Sequence, residues 1–158
     1  MPLFDRFFEE YQIGETWTSR ARTITESDLV LFSAFSGDWY PLHTDKEWAA
    51  QSVFGQRIAH GMLVLSVGTG LTRMDPGVIV AFYGIDSVRF TSPTFIGDTL
   101  HVELEIVDKV DKGKAGLVTV KSRLCKQTGE VAVASTLRVL VHKSESTDTP
   151  TTAPLATP

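Results

Sequence analysis

Gly61-Met62-Leu63-Val64-Leu65-Ser66-Val67-Gly68-Thr69-Gly70-Leu71 holds no charged residue. A helix that is apolar on every side is a buried helix. Each of its glycines costs up to about 1 kcal/mol against alanine in a helix interior, so they make sense where a sheet or another backbone must approach closely. The text that follows has a different period. After Pro76-Gly77 the run from Val78 to Phe90 is strand-like, and Pro93 to Gly97 is a break. From Leu100 the chain alternates, with Leu100, Val102, Leu104 and Ile106 on one face and His101, Glu103 and Glu105 on the other. Period two with one wet face marks an antiparallel sheet. Leu117 to Lys126 and Glu130 to His142 read as two further strands, joined through turns at Asp111-Lys112-Gly113 and Thr128-Gly129. One buried helix followed by a run of antiparallel strands predicts an α+β domain with the sheet wrapped on the helix.

Upstream, Trp17 to Ile24 reads as a first strand. Thr25-Glu26-Ser27-Asp28 has the capping-box pattern, and Leu29, Leu31, Phe32 and Phe35 follow at helical spacing. Gly37 stands where a helix stop is expected, and Pro41 prevents the helix from resuming. Gly37-Asp38-Trp39-Tyr40-Pro41-Leu42-His43-Thr44 is therefore expected as an irregular loop. It holds a carboxylate and an imidazole five positions apart, which is the equipment of an acid–base catalyst. Asp45 to Gln51 reads as a short second helix.

The chain has 158 residues, enough for one domain, here expected to span 1–142. Residues 143–158 are mostly Ser, Thr, Pro, Ala and Asp and read as a disordered tail. The net charge of -4 and the lack of any basic run argue against nucleic acid as the main partner. No stretch approaches the ~20 apolar residues needed to cross a bilayer, and the start carries no secretory pattern. A cytoplasmic protein with no membrane partner is expected. Cys125 is alone, so no intramolecular disulfide can form, and it reads as a small buried hydrophobe.

Three motifs in order resemble one family. Gly37-Asp38-Trp39-Tyr40-Pro41-Leu42-His43-Thr44-Asp45 is similar to its signature Gly-Asp-x-Asn-Pro-x-His followed by Asp. Phe54 to Leu63 is similar to its Phe-Gly-x-x-Ile-Ala-His-Gly-Met-Leu, and Pro93 with Gly97-Asp98-Thr99-Leu100 to a third, looser feature. The chain resembles the MaoC-like dehydratases, or (R)-specific enoyl-CoA hydratases, of the hot-dog fold. Tyr40 stands where the family has Asn, a large phenol in place of a short amide.

The resemblance implies a hydro-lyase that adds water to a 2-enoyl-CoA or removes it from a (R)-3-hydroxyacyl-CoA. It implies Asp38 and His43 as the catalytic pair and the Gly61 N–H as oxyanion donor. No cofactor is implied, because the CoA thioester is the substrate; an acyl-carrier protein can replace CoA as the handle. A homodimer or dimer of dimers is implied, with the acyl channel along the subunit interface. Trp39 and Tyr40 either line an acyl pocket or pack on a partner subunit. Ser66 faces substrate or bonds to its own helix, and Arg57 meets a CoA phosphate or anchors its loop. His60 reads as structural and Asp45 as a helix cap. A metal is not expected at Asp38, His43, Asp45 and His60, which hold no His-x-x-x-His pair or cysteine cluster. Two other readings remain: an acyl-CoA thioesterase, which the lack of any carboxylate from His60 to Gly70 counts against, and a non-catalytic acyl-CoA-binding module, which Tyr40 favours.

Overall fold

The computed structural model describes residues 3–144. Six strands form one antiparallel sheet: β1 (Thr16–Thr18), β2 (Arg22–Thr23), β3 (Ile79–Phe90), β4 (Thr99–Asp111), β5 (Ala115–Lys126) and β6 (Val131–His142). Their order is β1-β4-β5-β6-β3, with β2 also paired to β4. Among the described residues four α-helices precede or interrupt them, α1 (Glu26–Ser36), α2 (Pro41–Thr44), α3 (Lys46–Ala50) and α4 (Gly61–Leu71), after a 3-10 turn at Phe8–Glu10. The uncharged run is α4, with the limits its composition predicts, but it is not buried on every side: Leu63, Val64, Leu65, Val67, Gly68 and Leu71 are buried, whereas Met62 is 57% exposed and Ser66, Thr69 and Gly70 also face outward.

The inner face of the sheet packs on α4. Leu100, Val102, Leu104 and Ile106 on β4 are at most 2% exposed and belong to one cluster with Leu63, Val64 and Val67 of the helix. The closest approach explains Gly68. A Cβ there would lie 2.4 Å from Cδ1 and 3.1 Å from Cγ of Leu124 on β5, so the helix can settle on the sheet only where that position has no side chain.

Other expectations also need correction. The strand foreseen from Trp17 to Ile24 is two short pieces, because Ser19 breaks the ladder: its Oγ accepts from Val102 N at 2.8 Å, the bond a strand carbonyl would otherwise take. The segment foreseen as irregular after Gly37 holds a helical turn, α2. Pro41 cannot continue α1, yet it sits at the first turn of α2, where a fixed φ and a missing N–H cost nothing. The capping box of α1 forms as its residues predict, with Thr25 Oγ1 accepting from Asp28 N and Asp28 Oδ2 accepting from Thr25 N. Gly37 ends that helix at φ 76°. Of the foreseen tail, 145–158 lies outside the described residues. Lys143 and Ser144 are tied down, to Asp111 at 2.6 Å and to Glu9 at 3.0 Å. Among the described residues no helix is long and apolar enough to cross a membrane.

Candidate active site

Asp38 follows the stop at Gly37. Its Oδ1 accepts from Tyr40 N at 3.2 Å, an Asx turn that aims the carboxylate back across the segment. His43 lies on α2, where its Nδ1 sits 2.8 Å from the Ile58 carbonyl oxygen. A carbonyl can only accept, so Nδ1 carries a proton and Nε2 is the ring nitrogen left for chemistry. The segment that supplies that carbonyl is held at both ends. Ala59 N donates to Thr94 O at 2.7 Å, and Arg57 makes paired bonds of 2.8 and 2.5 Å to Glu26 on α1. Arg57 thus has the loop-anchoring role of the two foreseen.

His60 connects the pieces. It is 2% exposed and occupies the N-cap position of α4, its ring bonded elsewhere. Its Nε2 donates to the backbone carbonyl of Asp38 at 3.0 Å and lies 3.2 Å from Ser33 Oγ, a fully buried hydroxyl. Its ring stacks on His43, with centroids 3.9 Å apart and planes at 26°. Burial holds the His60 imidazole below the ordinary histidine range, against the pull of its bond to Asp38; the neighbouring His43 pushes the same way as burial. Burial is thus the larger influence on His60 and disfavours its charged form. One carboxylate oxygen of Asp38 and one ring nitrogen each of His43 and His60 lie within 4.8 Å of one another. Such a set can share a water molecule or hold a cation.

Beside His43 opens a largely apolar cavity of about 470 Å³, walled by Phe54, Met62, Phe90 and Val133 with Ser92 and Thr94 as polar points. That volume suits a small organic group. Gly61 lines it at the start of α4. Thr25 and Asp45 cap α1 and α3 through their side chains, but no side chain caps α4. A helix N-terminus carries N–H groups without intrahelical partners and a partial positive charge, so it suits a developing oxyanion. A Cβ at Gly61 would also lie 2.8 Å from the Phe90 ring.

The remaining foreseen residues divide. Trp39 and Tyr40, 56% and 53% exposed, stand outside the cavity wall; Tyr40 meets Trp48 edge-on, with centroids 5.6 Å apart. Ser66 does not face the cavity. Its Oγ donates to Met62 O at 2.7 Å within its own helix, and it borders a separate groove with Arg20 and Arg22. Asp45 caps Trp48 N at 2.9 Å, as expected. The reading of the sequence missed the contact of His60 with Asp38 and the cavity wall from Phe54, Phe90 and Thr94. The Ala-His-Gly triplet was the visible signal for the first; nothing local marked the second.

An antiparallel sheet packed on one central helix defines a hot-dog domain. Residues 9–128 match the family model described as MaoC like domain, and the chain belongs to that family. The "(R)-specific enoyl-CoA hydratase" of Rhodospirillum rubrum is 35% identical over 142 residues, covering 88% of this chain and 94% of that protein. "Protein MaoC" of Klebsiella aerogenes is 41% identical over 111 residues, 69% of this chain. The match spans only 33% of that longer protein. Among solved structures, the "Monoamine oxidase regulatory protein" of Archaeoglobus fulgidus superposes with a TM-score of 0.83 at 40% identity, covering 91% of this chain and 99% of that one.

Proposed function

We propose that the protein is a hydro-lyase that adds water to the double bond of a 2-enoyl-CoA and, in reverse, dehydrates the (R)-3-hydroxyacyl-CoA. The carrying observation is the approach of the Asp38 carboxylate to the imidazole pair, His43 among them, within 4.8 Å, with His43 beside an apolar cavity that begins at Gly61. Asp38 and His43 act on one water. Its oxygen bonds to C3 as its proton passes to the pair, and a proton from the pair goes to C2. Gly61 N–H receives the thioester oxygen as it takes on enolate character. The pair ends as it began, so no cofactor is consumed or needed. The similarity to the Rhodospirillum rubrum protein named (R)-specific enoyl-CoA hydratase supports the same reading.

Incubation with crotonyl-CoA tests it. Loss of enoyl absorbance without release of free thiol is the expected result. Thiol release would instead support a thioesterase, which the lack of Asp and Glu on α4 disfavours. Neither change, across short, medium and dicarboxylic enoyl thioesters, would support the acyl-CoA-binding module.

The protein is further proposed to act as a homodimer joined through β3. This twelve-residue strand pairs only with β6 among the described residues, and its Val80, Phe82 and Tyr83 are exposed. A long apolar sheet edge pairs with another chain unless something blocks it. Sedimentation velocity is expected to return a dimer; a stable monomer would remove this part of the proposal.

A further inference from the structure

On the face of the sheet turned away from α4, β4 and β5 bring together three side chains that the proposed reaction does not use. His101 is the register partner of Cys125, and Glu103 lies two residues further along β4. Alternation puts all three on one side: Leu100, Val102 and Leu104 point into the core, as does Leu124, which meets α4 at Gly68. His101 Nε2 is 3.4 Å from Glu103 Oε1, and one donor atom from each of His101, Glu103 and Cys125 lies within 4.8 Å of the other two. Glu103 Oε2 is taken by Arg123 at 2.8 Å, which holds the carboxylate in place and leaves Oε1 facing the imidazole.

We infer that His101, Glu103 and Cys125 form a binding site for a zinc-class divalent cation. The donor set is the reason. A thiolate and an imidazole with one carboxylate oxygen suit zinc, whereas calcium and magnesium take oxygen alone. The geometry is near what such an ion requires. Tetrahedral zinc with bonds of about 2.0–2.3 Å separates its ligands by roughly 3.3–3.7 Å, so the side chains need close by only about an ångström. Two hydrogen-bonded strands carry the ligands, which makes the frame rigid. The His101 and Glu103 side chains are 26% and 36% exposed, so the fourth position opens to water. Binding replaces the thiol proton: the S–H bond breaks, a sulfur–metal bond forms, and the proton leaves to solvent. Cys125 itself is 3% exposed, which puts the sulfur at the floor of the site with His101 and Glu103 above it.

The chain contains one cysteine, and this makes the test clean. Titrate the full-length protein with Co²⁺ and follow the near-ultraviolet thiolate-to-cobalt charge-transfer band. The Asp38, His43 and His60 cluster has no sulfur and cannot give that band. The band is expected to saturate at one equivalent and to bleach when Zn²⁺ is added. His101→Ala and Glu103→Gln are each expected to weaken Co²⁺ binding about 10-fold or more, since even outer-shell losses at metal sites cost 10–100-fold. Both positions are partly exposed, so thermal melts of the metal-free variants should match the parent. Cys125→Ser should abolish the band. Absence of the band at large Co²⁺ excess would overturn the site, as would a band that both His101→Ala and Glu103→Gln leave unchanged, since that would report a lone thiolate. Calorimetric Zn²⁺ binding with no cobalt band would place the metal elsewhere and overturn it too. None of these outcomes depends on enoyl-CoA turnover.

Discussion

Asp38→Asn and His43→Asn are each expected to lower turnover of a 2-enoyl-CoA by at least ~10²-fold while leaving the fold intact. The two substitutions are chosen for what they preserve. An Asn at 38 still has a side-chain oxygen to accept from Tyr40 N, so the Asx turn survives and only the titratable carboxylate is lost. An Asn at 43 still offers an N–H toward the Ile58 carbonyl, so the segment behind α2 keeps its tie while the second ring nitrogen disappears. His43→Ala removes both and should fall at least as far. General acid–base catalysis contributes typically 10²–10⁴-fold, and in the proposed reaction one pair handles both proton transfers. The loss should appear in kcat more than in KM, because neither group is needed to seat the thioester in the apolar cavity. Steady-state kinetics with crotonyl-CoA, run beside thermal melts, reads both quantities. Near-parental turnover in either well-folded variant would refute the assigned pair.

The largest stability effect is expected at the contact between α4 and β5. Leu124→Ala should cost about 2–5 kcal/mol, because the side chain is 2% exposed and packed against the helix, so its removal leaves a cavity. Gly68→Ala sets two effects against each other. Alanine improves helix propensity by up to about 1 kcal/mol, but overpacking a tight core costs typically about 1–3 kcal/mol. Overpacking should win, since the new methyl would meet not only the leucine tips but its branch carbon at 3.1 Å, which a small turn of the side chain cannot clear. Gly68→Ala combined with Leu124→Ala should lose less than the sum, as the smaller residue at 124 makes room for the methyl at 68. Urea unfolding midpoints and slopes measure all three. A Gly68→Ala protein more stable than the parent would mean that the helix rides higher on the sheet than described.

What could be read from the sequence was local. The limits of α4 follow from the uncharged run, and β4 from strict alternation at 100 to 106. Asp38 and His43 could be paired because Pro41 confines them to one short stretch. The α2 turn was missed because the same proline was read only as a terminator. Ser66 was left between substrate and its own helix because helical spacing does not show which way the helix is rolled against its sheet; the packing of Gly68 on Leu124 records that roll. The bonds from His60 to Asp38 and Ser33 bridge 22 and 27 positions, and Arg57 reaches back 31 to Glu26. No periodicity records such pairings, so the framework around the pair had to come from coordinates.

The imidazole at 60 touches the backbone of one proposed catalytic residue and the ring face of the other. It also occupies the position before the helix whose first amide opens on the cavity. Three parts of the site therefore lean on one codon. Exchanging this ring is expected to disturb all three parts together, where a change at any one of them would touch only its own.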